Sequence, residues 1–394
     1  MLTCQKALFD LPNGLHYLNC AYMSPLAAPV EAAGIAGIRR KRNPALITPD
    51  DFFGESEQLR AAFAGIIGAP DPSRVAIIPS VSYGIATAAR NLQVDARSNL
   101  VVLHEQFPSN VYTWRRAAQQ AGAELRVVEP PSGPGRGAAW NRRLLEAIDA
   151  KTAVVALPHV HWADGTVFDL AAVSARARDV GAALIVDGTQ SVGAFPFDVG
   201  IHRPDALICA GYKWLLGPYS IGLAWFGERF DGGTPLEENW ISRRDSRQFA
   251  RLVDYQPEYA DGAARYDVGE RSNFILVPML LAALDLIATW GPENIQAYCQ
   301  RLSDPVLTEA RTLGFGVEEA SHRAGHLFGL RAPGGVSAEA LRSRLEERNI
   351  RVSVRGDAVR IAPNVYNDEH DLAALAEVLR SVVGISGGAG TSLA

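Results

Sequence analysis

Short apolar runs rich in β-branched side chains recur along the first part of the chain. Between them, apolar positions return every three to four residues. The runs predict strands at 74–79, 99–103, 125–129, 153–157, 183–187, 205–210 and 221–226. The longer rhythm predicts helices at 82–92, 109–121, 139–149 and 168–179, and an earlier amphipathic helix over 55–67 stopped by Gly68 and Pro70. Alternation of this kind implies an α/β fold with a mainly parallel sheet covered on both faces. Upstream, 16–30 reads as an extended arm with Ser24-Pro25 as an entry to a helix. After Gly227 the rhythm breaks, and 228–268 reads as loops and short helices at the rim of a site. Its arginines, Arg243, Arg244, Arg247 and Arg251, are individually explained as solvated surface. Long helices return at 278–289 and 292–313. Strands at 325–331, 351–355 and 358–362, with helices at 338–348 and 369–383, then form a compact α+β unit. The expected organisation is an N-terminal arm (1–20), a large domain with a seven-stranded sheet (21–275) and a smaller C-terminal α+β domain (276–394). The Gly- and Ser-rich tail GISGGAGTSLA is expected to fray.

Two of the apolar runs end in residues a core would not choose. The run at 183–186 delivers Asp187, and the run at 206–210 is followed by Gly211, Tyr212 and Lys213. In an open α/β sheet the carboxyl ends of the strands face the ligand crevice. A carboxylate and an amine delivered there together suit pyridoxal 5'-phosphate (PLP). The amine can bond its aldehyde, and the acid can keep the ring nitrogen protonated so that the ring accepts electrons. Burial alone would raise the pKa of Asp187, and a pyridinium partner would pull it back down. Taken singly, Asp187 could cap a turn and Lys213 could snorkel from a strand end. Gln190, Tyr212 and the Gly217-Pro218 turn weigh against that pair of accidents.

Composition narrows the field. The 394 residues, 48% hydrophobic, allow two cored units, and a net charge of −5 without a basic run argues against a nucleic-acid surface. Cys4, Cys20, Cys209 and Cys299 have no paired spacing, which fits reduced thiols of a cytoplasmic protein without a disulfide frame or zinc site. The opening MLTCQKALFDLPNG lacks the charged-then-apolar pattern of a signal peptide. The longest apolar stretch, 274–290, is interrupted by Pro278 and Asp285 and suits a core helix rather than a membrane span.

Four further segments carry chemistry. IIPSVSYGIATAARNL (77–92) leads from a strand into a helix through Ser80, Ser82 and Tyr83, an anion site in form, although serine there also serves as a plain N-cap. In LHEQFPSNVYTW (103–114), Phe107 can lay a ring on a flat cofactor or fill the core. LPHVHWADGTVFD (157–169) places His159 and His161 on one side if the strand continues. A metal needs a third ligand that is not evident, so a hydrogen bond to cofactor or substrate and a satisfied core histidine are the competing readings. In VRGDAVRIAPNVYND (354–368), Arg355 and Arg360 flank a two-residue turn, and an arginine fork matches a carboxylate; a surface ion pair is the alternative.

Together these segments resemble the class V aminotransferase family of PLP enzymes, a fold type I group that includes cysteine desulfurases, kynureninases and isopenicillin N epimerase-like proteins. The resemblance runs from YLNCAYMSP to VRIAPNVYN and is strongest in VDGTQSVG and GYKWLLGP. It implies Lys213 as the Schiff-base lysine, Asp187 at the pyridine nitrogen and Gln190 at the ring hydroxyl. It further implies Ser82 with the Tyr83 amide at the phosphate, Phe107 stacked on the ring and Tyr212 reaching the phosphate. His161 and Trp162 fall near the ring hydroxyl, and Arg360 matches the receiver of the substrate carboxylate.

There are departures. Desulfurases need a loop cysteine before that arginine, and ERNIRVSVRGDAVR holds none; Phe107 also stands where they stack a histidine. The family's interface Gly-Thr is replaced in RYDVGERSN (265–273), which leaves the parts of Arg271 and Ser272 open. The resemblance therefore implies an aminotransferase-like enzyme acting at Cα of a small amino acid, as a homodimer. A C–S or C–C lyase and an epimerase are the alternatives. A non-catalytic PLP-fold binding protein is disfavoured by the intact Lys213, Asp187 and Gln190.

Overall fold

Strands that are apolar on both faces must be covered on both sides, and the chain achieves this in sequence order. The computed structural model describes residues 1–133 and 135–387. The N-terminal arm contributes β1 (His16–Tyr17) and is followed by α1 (Ala28–Arg40) and α2 (Gly54–Ile66). There follow β2 (Val75–Ile78), α3 (Val81–Arg90), β3 (Asn99–Leu103), α4 (Ser109–Ala121), β4 (Glu124–Val128), α5 (Arg136–Ala147), β5 (Thr152–Pro158), α6 (Leu170–Val180) and β6 (Ala183–Asp187). A short α7 (Val199–His202), β7 (Ala206–Ala210) and β8 (Gly222–Phe226) complete this series. The predicted strands lie in one seven-stranded sheet of order β2-β8-β7-β6-β5-β3-β4. It is parallel except for β8, which pairs antiparallel with both β7 and β2. Alternate side chains divide between two cores: Val75, Ile77, Val101 and Leu103 on one face, Ala76, Ile78, Leu100 and Val102 on the other.

Helix ends follow local chemistry. Ser80 caps α3, Asp169 caps α6, and left-handed Gly122 and Gly181 end α4 and α6. Helix α1 opens at Ala28, with Pro29 in its first turn, rather than at the expected Ser24-Pro25. Edge strand β2 is shielded by the segment after it in space: Ile77 donates its amide to Asp267 and accepts one from Val268. Asp267 also holds Arg60 and Arg271, so a buried triad fixes this edge.

The second half begins with α8 (Leu276–Trp290), which packs on α1 and α2, and α9 (Pro292–Thr312). β9 (Phe328–Leu330), α10 (Ala338–Glu347), β10 (Ile350–Arg351), β11 (Ser353–Arg355), β12 (Ala358–Ile361) and α11 (Glu369–Gly387) follow. β11, β12 and β9 form a small antiparallel sheet. The strand expected at 351–355 divides at Val352, because β10 pairs with β1 of the arm whereas β11 pairs with β12. The expected frayed tail lies outside the described residues from 388 onward. Among the described residues no single helix is long and apolar enough to cross a membrane. α8 and α9 meet the combined requirement of length and apolar composition only as a pair bent by 72°, and Leu280, Leu284 and Ile287 of α8 are in the core.

Candidate active site

Neighbouring parallel strands β6 and β7 end side by side, and their exits build a pocket. Asp187 is the last residue of β6, paired in register with Pro158 of β5. The chain then turns tightly, with Ser191 and Val192 donating amides to the Gly188 carbonyl. β7 instead runs on through Gly211 and Tyr212 to Lys213 in the connection to β8. The two turns touch at Gly193, which has φ 102° and whose Cβ, if it had one, would sit 2.3 Å from the Trp214 carbonyl oxygen. Only glycine accepts both that backbone and that approach.

The resulting cavity of about 320 Å³ is lined by Asp187, Gln190, Tyr212, Lys213, Phe107 and Ser82, together with further residues of the same turns. This is within the range expected of a small-molecule site. Lys213 is 5% exposed, its Nζ lies 5.2 Å from the Phe107 ring centre and 5.4 Å from that of Tyr212, and it forms no ion pair among the described residues. Burial, and then repulsion from Arg360, lower its pKa to about 8 against the pull of Asp187. Asp187 accepts the Thr189 amide at 3.0 Å, and burial outweighs that bond to raise its carboxyl above the usual range. Gln190 is fixed on both sides: it donates to the Ala21 carbonyl at 3.2 Å and accepts from Trp214 Nε1 at 2.7 Å. The Tyr212 ring rests 4.6 Å from that of Tyr219, and burial raises its phenol to about 12.

At the start of α3 the outcome is divided. Ser80 is the cap; its Oγ takes the Tyr83 amide at 3.2 Å and lies 2.9 Å from Ser82 Oγ. The Tyr83 amide expected in an anion cradle is therefore already engaged. The first-turn amides of Val81 and Ser82 have no acceptor within the helix, and both residues line the pocket.

His161 departs from expectation as well. The chain turns after Pro158 instead of continuing as a strand, so His161 is fully buried away from the pocket lining, against Trp140 and 3.4 Å from Asp164. His159 enters a separate aromatic cluster with Phe195, Phe197 and His202. Its neighbour Trp162 does line the pocket, edge-on to Phe107 at 5.4 Å. Arg360 is not itself among the lining residues and stands behind this wall, 5.9 Å from the Trp162 ring centre. It is 1% exposed and gives one Nη1 bond to the Trp162 carbonyl, at 2.9 Å, while its Nε and Nη2 are buried without partners. Arg271 and Ser272 are engaged elsewhere, with Asp267 and the Phe52 carbonyl. The arginines of 228–268 also stay away from this pocket, and Arg243 and Arg247 pair with Glu238 and Glu57.

Residues the sequence did not single out complete the wall. Gln106 and Asn110 line it, and Gln106 Oε1 and Asn110 Nδ2 are buried without partners. Behind Gln190, His326 donates Nε2–H to the Gln190 carbonyl at 2.8 Å and packs edge-on to Trp214 at 4.3 Å. A separation of 136 residues gave no local signal for that contact.

Known proteins resemble this chain over most of its length. It is 28% identical over 320 residues to an uncharacterized aminotransferase, YcbU, of Bacillus subtilis (strain 168), covering 81% of each chain. It is 30% identical over 314 residues to a kynureninase of Pseudomonas fluorescens, covering 75% of this chain and 70% of that one. In fold it superposes on a cysteine desulfurase of Thermococcus onnurineus NA1 with a TM-score of 0.82 at 20% identity, covering 98% of this chain and 99% of the other. The Aminotransferase class-V family model matches residues 50–381, and the chain is a member of that family, whose members use pyridoxal phosphate.

Proposed function

We propose that the pocket binds PLP through Lys213 and that the protein acts at Cα of a small amino acid in an aminotransferase-like reaction. The observation that carries this reading is the opening of Lys213 and Asp187 onto one cavity beside the Phe107 ring. The residues present fit the group: Lys213 forms no ion pair among the described residues, the Val81 and Ser82 amides have no acceptor within the helix, and Arg360 Nε and Nη2 are buried without partners.

Bound there, PLP supplies an aldehyde for amines and a ring that withdraws electrons from Cα. Asp187 holds a proton at the ring nitrogen, and that cation lowers its raised pKa in return. Phe107, whose ring centre lies 5.2 Å from Lys213 Nζ, would lie against the ring. Gln190 keeps one amide hydrogen for the ring hydroxyl, its other contacts being Trp214 and Ala21. Ser82 and the Val81 and Ser82 amides hold the phosphate, with Tyr212 at its side. Arg360 receives the substrate carboxylate. Lys213, desolvated and near a cation, takes and returns the Cα proton with a pKa suited to neutral pH.

A thiolate desulfurase is disfavoured. The cysteine beside Lys213, Cys20, is fully buried, accepts from Asn364 Nδ2 at 3.2 Å and is raised to about 12. A C–C lyase is the second reading, favoured by the kynureninase likeness. A homodimer is also proposed, supported by exposed Ile38, Trp240 and Ile275, which share a surface hollow with Glu270, Ser272 and Asn273.

The test is to incubate purified, PLP-loaded protein with alanine, cysteine or kynurenine. Accumulation of pyridoxamine phosphate supports transamination, release of pyruvate, sulfide or anthranilate supports a lyase, and failure to take up PLP at all contradicts the reading.

A further inference from the structure

Arg360 is not the only cation on its wall without an acid. β11 and β12 pair with Arg355 opposite Ala358 and Ser353 opposite Arg360. Arg355 and Arg360 are thus diagonal neighbours on the same face of the hairpin. Both guanidinium groups approach the same indole, 5.1 and 5.9 Å from the Trp162 ring centre, and Trp162 lines the pocket.

Arg355 is half-buried, donates Nη1 to the Val354 carbonyl at 2.7 Å, has a buried Nε without a partner, and forms no ion pair among the described residues. Nearby acids are occupied or remote. Asp357, two residues on, holds Arg331 at 3.0 Å, and Glu105 comes near the Gly356 turn without pairing with Arg355. Against Lys213 in the lining, and Arg355 and Arg360 behind Trp162, the lining presents the single carboxylate of Asp187. Two arginines held together on one indole, each short of an anion, call for two negative groups.

Resting on the reading of the site given above, we propose that the substrate is an amino acid with a second carboxylate on its side chain, its α-carboxylate on Arg360 and its side-chain carboxylate on Arg355. Arg355 is then the residue that sets substrate class. Repulsion supports this: after burial, Arg355 lowers the pKa of Arg360, and both arginines lower that of Lys213.

The test uses the PLP-loaded protein and ligands without an amino group, which bind but cannot react. Titration calorimetry compares succinate and glutarate with butyrate. The proposal expects the better dicarboxylate to bind at least about ten-fold tighter than butyrate. Arg355→Gln should collapse that ratio to near one, and Arg355→Lys should keep part of it, with cofactor absorption and circular dichroism confirming the fold. Equal binding of mono- and dicarboxylates by the unaltered protein would overturn the proposal. So would an Arg355→Gln variant that weakens both ligands equally, since the two arginines would then share one carboxylate. Failure of the underlying reading has a different signature: no PLP uptake, or binding of every ligand unaffected by Arg360→Gln, and either result removes the proposal too.

Discussion

At the scale of single residues, the role proposed for Lys213 turns on its protonation, because a nucleophilic amine must first lose its proton. Burial and the Arg360 charge bring its pKa down to about 8. The neutral, reactive form therefore grows as pH rises through about 8, well below the range of a solvated lysine. Rapid-mixing measurements of PLP capture by the cofactor-free protein should show a rate rising through that midpoint. A rate still climbing steeply above pH 10 would show a solvated amine and contradict the assigned environment. The meeting of Asp187 and Lys213 at one cavity was legible in the sequence, because each follows the end of an apolar run. Tyr83 and His161 were misjudged for local reasons. The Ser80 cap had first claim on the Tyr83 amide, and the turn after Pro158 swung His161 against Trp140. Neither a cap choice nor a turn direction can be read from residue type alone.

The decisive elements are two strand exits and the glycine that lets them meet. Gly193→Ala adds a Cβ at a left-handed backbone position and presses it on the Trp214 carbonyl. Strain of that kind costs about 1–3 kcal/mol, and the clash adds to it. The variant should show a lower denaturant midpoint and weaker PLP retention together, because the displaced loop carries Lys213. An unchanged midpoint would mean that the contact is looser than described. At this scale most of the sheet was readable, since strands buried on both faces announce themselves as continuous apolar runs. The antiparallel direction of β8 and the division of 351–355 were not. Both depend on which strand pairs with which, and pairing partners lie far apart in the chain.

For the whole molecule, the N-terminal arm and the C-terminal elements close around the sheet. Lys6 and His16 of the arm reach Asp371 of α11, and Gln5 donates its amide to Val365. His326 ties the C-terminal half to Gln190 while remaining buried and neutral, with its pKa lowered from 6.5 to about 4 chiefly by burial. Below about pH 6.5 the unfolded chain binds a proton there that the folded chain refuses. This contribution to stability is therefore full above that value and is lost as pH falls toward about 4. Denaturant unfolding should show lower stability at pH 5 than at pH 7. His326→Gln should shrink that difference, whatever it does to stability at pH 7, and an undiminished difference would place the acid sensitivity elsewhere.

The chain has four lysines, Lys6, Lys41, Lys151 and Lys213, and only the last is buried. Borohydride reduction of the PLP-loaded protein, followed by peptide mass spectrometry, locates the bonded amine directly. The account predicts the pyridoxyl mass on the peptide containing Lys213 and on no other lysine. A label on one of the other three, or no label on a protein that has taken up the cofactor, would contradict it.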